Sequence, residues 1–100
     1  MTEAKKERYR RIRGAILKML AYEHPRPVDS KVLHVLLDDL DYTMTDEECQ
    51  SHIVYLAEKG FVHIGRRKCG NVSLEMVTIS PKGLDVLDGF VGDVGVDVRF

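Results

Sequence analysis

The stretch MTDEECQSHIVYLAEKGFVHIGRRKCGNVSLEMVTI, residues 44–79, decides the fold. Thr45-Asp46-Glu47-Glu48 reads as a helix start. Thr45 is a cap, Glu48 three residues on completes a capping box, and Asp46 and Glu47 fall where the helix dipole favours negative charge. Cys49, Ile53, Leu56 and Ala57 then recur at helical spacing as an inner face, with the helix running to Lys59. Glu47, Gln50, Ser51, Val54, Tyr55 and Glu58 remain for the outer face. Leu56-Ala57-Glu58-Lys59-Gly60-Phe61-Val62 reads as a helix stop, with Gly60 supplying the positive φ that ends it. The chain passes directly into a short β-favouring run over residues 61–64. A polar, glycine-containing, flexible tip over residues 65–71 precedes a return strand over residues 72–79. In that strand Val72, Leu74 and Met76 share one face while Val77 and Ile79 share the other. The change of phase predicts a bulge or a strong twist near Met76.

Outward from this unit, Tyr9, Ile12, Ile16, Met19 and Leu20 draw one apolar stripe along a first helix over residues 3–23. His24-Pro25-Arg26-Pro27 forbids its continuation and favours extended chain. A second helix starts at Asp29 or Ser30, either of which can cap it. Its buried face is expected to be Val32, Leu33, Leu36, Leu37 and Leu40. Asp38, Asp39 and Asp41 crowd its C-terminal end, where the dipole disfavours carboxylates. Either the helix stops early or these acids face a cationic partner. Downstream, Ser80 caps and Pro81 opens a short helix that Gly89 closes. The expected architecture is an α+β domain over residues 1–89, with a three-helix core, a two-stranded hairpin and a short last helix. Residues 90–100 alternate Val with Gly and Asp and read as an extended or flexible tail.

A chain of 100 residues supports one domain and one modest core. No apolar run approaches membrane-spanning length and the first residues do not resemble a signal peptide, so a cytoplasmic protein is expected. Cys49 and Cys69 form no close-paired motif and are expected as free thiols. The net charge of −1 hides segregation: +5 over residues 1–26, −6 over 27–48, +3 over 49–70 and −3 over 71–100. A domain with basic blocks on one helix and one hairpin can still carry a positive face.

The order helix, helix, helix, hairpin, short helix resembles winged helix-turn-helix domains. Leu56-Ala57-Glu58-Lys59-Gly60-Phe61-Val62 carries a closer likeness, as does Thr78-Ile79-Ser80-Pro81-Lys82-Gly83-Leu84-Asp85-Val86-Leu87-Asp88-Gly89 with its Val-Gly-rich continuation. The chain is similar there to the small winged-helix proteins of Mu-like prophages. The resemblance implies a non-enzymatic DNA-binding regulator or accessory protein, working as a homodimer on double-stranded DNA. It departs from a groove-reading pattern at Asp46, Glu47 and Glu48, which carry the wrong sign for approaching phosphates.

For DNA contact, the third helix offers Gln50, Ser51, His52, Val54 and Tyr55 to base edges. Gln50 suits adenine and Val54 a thymine methyl. Arg66, Arg67 and Lys68 on the hairpin suit the phosphate backbone, and Lys5, Lys6, Arg8, Arg10 and Arg11 add cations from the first helix. The ordinary reading of all these groups is a solvated surface. A second hypothesis is a winged-helix interaction or dimerisation module without DNA, the basic first helix of one copy meeting the acidic second-to-third helix corner of another. Cys49 and His52, three apart on one helix, could share a metal, but two ligands do not make a site and a buried thiol is the commoner reading. No catalytic motif, cofactor signature or small-molecule site is evident, and no metal is expected.

Overall fold

A computed structural model of the chain describes residues 2–99. Its element order is α1 (Glu3–Glu23), β1 (Val28–Asp29), α2 (Ser30–Asp39), α3 (Asp46–Glu58), β2 (Val62–Cys69), β3 (Val72–Ile79) and α4 (Pro81–Leu87). This is an α+β domain whose described residues form four helices and one antiparallel sheet of order β1-β3-β2. None of these helices is long and apolar enough to cross a membrane.

The caps follow the side-chain chemistry. Thr2 Oγ1 accepts from Lys5 N, Asp29 Oδ1 from Lys31 N, Thr45 Oγ1 from Glu48 N and Ser80 Oγ from Gly83 N. Each satisfies one of the amides that a helix start leaves without an intrahelical partner. Gly60 (φ 80°) ends the α3 region and Gly89 (φ 81°) follows α4. Gly83 has a different reason: a Cβ there would run into the Phe61 carbonyl oxygen, so α4 sits directly on the α3–β2 junction.

The core lies where α1, α2 and α3 meet the base of the sheet. Ile12, Ile16, Leu17, Leu20, Leu33, Leu37, Ile53, Leu56 and Val77 are its fully enclosed large side chains. Several expectations are corrected. The sheet has three strands rather than two, because Val28 and Asp29 pair with Val77 and Met76 of β3. The hairpin is longer than its apolar residues suggested: β2 continues through Arg66, Arg67 and Lys68, and only Gly70 and Asn71 form the turn. Gly70 (φ 60°) takes the first turn position, where a glycine-first hairpin turn needs it.

No bulge interrupts β3. Its register with β2 is continuous from Val62↔Ile79 to Cys69↔Val72. The apolar phase changes because the ribbon leaves the core: Val77 and Ile79 are buried, whereas Val72 and Ser73 stand in solvent. On α2 the buried face is narrower than expected. Leu33 and Leu37 are enclosed, but Val32, Leu36 and Leu40 are 47%, 38% and 53% exposed. Residues 90–99 are irregular chain laid against the body: Val96 and Val98 pack on the core and Asp97 N donates to Arg10 O at 3.0 Å.

Candidate nucleic-acid interface

Alternation along a strand sends successive side chains to opposite faces, and this splits the hairpin cations. Ile64 pairs with buried Val77, so Arg66 and Lys68 share the body-facing side of the ribbon, opposite Glu75 and Ser73. Arg67 lies on the other side, opposite Leu74. All three are exposed. Among the described residues none of them has an ion-pair partner.

The third helix is less available than its outer-face pattern implied. Gln50 Nε2 donates to Glu75 Oε2 at 3.0 Å, which ties α3 to β3. Ser51 Oγ donates back to Glu48 O at 2.7 Å. Tyr55 Oη donates to Asp93 Oδ2 at 2.6 Å, and the ring lies under the Arg13 guanidinium at 3.8 Å. Gln50, Ser51 and Tyr55 are therefore engaged within the chain, and among the groups proposed for base contact Val54 alone remains uncommitted. His52 is corrected outright: it is buried, 2% exposed, and its Nδ1 accepts from Arg13 Nε at 3.2 Å. The exposed stripe of α3 is Glu47, Ser51, Val54 and Glu58, and the helix contains no Lys or Arg. This acidic ridge lies between the hairpin, reached through Gln50, and α1, reached through His52 and Tyr55.

The α1 cations are unequal. Arg8 donates to Thr43 O at 2.6 Å and lies over the Tyr42 ring. Arg10 pairs with Glu7 at 3.2 Å and Lys6 with Glu3 at 3.5 Å. Lys5 and Arg11 are exposed.

Behind the ridge, Arg13, His52, Tyr55, Lys59, Asp93 and Gly95 form a network that residue spacing alone did not reveal. Arg13 also donates to Gly95 O at 3.2 Å, and Lys59 Nζ lies 3.3 Å from Asp93 Oδ1. Burial, then the charges of Arg13 and Arg8, push the His52 imidazole down to about 4. It is neutral at pH 7, consistent with Nδ1 acting as an acceptor. Burial alone raises the Asp93 carboxyl, but hydrogen bonds from Tyr55, Gly95 N and Lys59 outweigh it and hold the group below its ordinary value. Burial, with Asp46 and Glu75 behind it, pushes the Cys49 thiol up to about 11. Among the described residues no group of three or more His, Cys, Asp or Glu is placed to hold a metal.

No family model and no curated protein matches this chain.

Proposed function

We propose that the chain is a winged-helix protein of the prophage type that binds double-stranded DNA as a regulator or accessory factor, without catalysis. Its β2–β3 hairpin acts as the wing. Contact is through the phosphate backbone more than through base edges. The observation that carries this reading is the exposed ribbon with Arg66 and Lys68 on one face and Arg67 on the other, none of them ion-paired among the described residues. Cations on both faces of a narrow ribbon can reach phosphates on either side of a groove. Lys5 adds charge from α1. The acidic ridge of α3 is repelled by phosphate, so this helix stays shallow and contributes little sequence selectivity.

Binding to mixed-sequence duplex at two salt concentrations tests the proposal. The parent should lose affinity steeply with salt. Changing Arg66, Arg67 and Lys68 together to Ala should reduce the log–log slope by about 2 to 3. An absence of binding at low salt would sink it. That result would favour the second reading, a winged-helix interaction module, which the Glu47–Glu58 ridge supports because it lacks any basic residue.

A further inference from the structure

Helix α2 carries its charges against its own dipole. Lys31 lies in the first turn and Asp38 and Asp39 in the last; the only acid at the start is the capping Asp29 that precedes the helix, and no base lies in its last turn. The N-terminal end of a helix is partially positive and the C-terminal end partially negative, so both placements are unfavourable in the isolated element. Asp38 has a local partner, since Thr43 Oγ1 donates to it at 3.2 Å. Among the described residues, Lys31 Nζ and the Asp39 carboxylate have no ion-pair partner.

Between these charged ends the exposed face is apolar. Val35 is 61% exposed, on the side away from enclosed Leu33 and Leu37, with Val32 and Leu36 beside it. Toward α1 the patch runs into an open cavity of about 450 Å³ lined by Met19, Tyr22, Val28, Val32 and Leu36, together with the charged Lys18 and Glu23. Tyr22 at its rim is 88% exposed. A contiguous apolar face bordered by charge marks a site of association.

The order of residues identifies the occupant. Lys31 precedes Val35 by four positions, and Asp38 and Asp39 follow it by three and four. An antiparallel copy of the same helix, related by a two-fold axis beside Val35, brings Asp38 and Asp39 of the partner subunit to Lys31. The same operation sets Lys31 of the partner subunit against Asp38 and Asp39, and the valines meet between them. Each charge then faces its opposite and also lies at the end of the neighbouring dipole that favours it. A parallel copy would oppose like charges. An unrelated partner would require no such reciprocal ordering.

We propose that this face is the interface of a homodimer in which α2 packs antiparallel against α2 of the partner subunit. The inference does not rest on contact with nucleic acid. It also differs from a pairing of basic α1 with the acidic α2–α3 corner, because the complementary charges lie within α2 itself.

Sedimentation equilibrium of the full chain, over about 10 to 200 μM, tests it. The parent should form a dimer. Lys31→Asp alone, or Asp38→Lys with Asp39→Lys, should weaken association about tenfold, because attraction becomes repulsion at both symmetric ends. All three changes together should restore it to within about threefold of the parent. Val35→Asp, which opposes two carboxylates at the axis, should leave only monomer. Circular dichroism at low concentration checks folding: the charge exchanges align with the α2 dipole, which offsets the exposed Thr43 hydrogen bond that Asp38→Lys removes. A parent that stays monomeric throughout overturns the proposal. So does a dimer that ignores these substitutions, or a combined variant that remains as weak as the separate ones.

Discussion

Along α1, the seam with α3 and the seam with α2 are finished in opposite ways. Toward α3 the contacts are polar and closed: Arg13 bridges His52 and Gly95, Tyr55 and Lys59 hold Asp93, and the chain's own C-terminal residues seal the edge. Toward α2 the contacts are apolar and open, with Tyr22, Val32 and Leu36 exposed around a cavity. The polar seam completes its hydrogen bonds within one chain. The apolar seam keeps a surface in water that a second chain can cover. The two should respond differently to the same kinds of perturbation.

Acid should produce the largest difference. His52 is held near pKa 4 in the folded protein and returns to about 6.5 when unfolded. The folded pKa is the lower one, so the unfolded chain binds more protons between these values. The associated stability is complete above pH 6.5 and is lost as pH falls through 4. About 2 kcal/mol should be gone by pH 5 and about 3 by pH 4. Urea unfolding of the parent and of His52→Gln across this range isolates the effect from the carboxylates. Ring titration followed by nuclear magnetic resonance gives a direct reading, and a His52 value near 6.5 would show that the seam is open to water.

Arg13→Ala should cost about 2 kcal/mol, because it leaves His52 Nδ1 and Gly95 O without their donor and removes the cation over Tyr55. The substitution should also soften the acid response, since Arg13 is one of the charges that depress His52. A variant with lower stability but an unchanged acid profile would mean that burial and Arg8 set the imidazole without Arg13.

The four helices and the hairpin were legible because their ends are written locally. Thr45 with Glu48, Asp29, Ser80 with Pro81 and Gly60 each act within a few residues. The two-residue β1 was not legible, because Val28 and Asp29 become a strand only by meeting β3. Nor was the length of β2, whose Arg66-Arg67-Lys68 run lacks the apolar alternation that marks a half-buried strand. The exposure of Arg66, Arg67 and Lys68 was legible, and the outer face of α3 was misjudged. Gln50 and Tyr55 are turned inward by Glu75 and Asp93, which lie 25 and 38 residues away. An outer-face assignment made from helical period alone has no access to such partners.

The tail supplies a smaller test. A Cβ at Gly95 would run into Tyr55 Oη and the Arg13 guanidinium, whereas one at Gly92 meets no heavy atom within 4 Å. Gly95→Ala should destabilise by about 1 kcal/mol and expose residues 90–99 to proteolysis. Gly92→Ala should stay within about 0.5 kcal/mol of the parent. Equal behaviour of the two would mean that the tail does not rest on the Arg13–Tyr55 pair.

On the open seam the smallest change in the monomer should accompany the clearest change in association. Val and Ser have similar helix propensities, so Val35→Ser tests burial of the side chain rather than the preference of the backbone. At low protein concentration the exposed Val35 contributes little, and Val35→Ser should alter unfolding by less than about 0.5 kcal/mol. At high concentration the parent's melting temperature should rise with concentration, because dimerisation stabilises only the folded state. In Val35→Ser that rise should shrink or vanish. A melting temperature independent of concentration in both proteins would leave the α2 face a solvated surface. A large loss in the dilute variant would place Val35 inside the monomer's own packing, and the contrast between the two seams would fail.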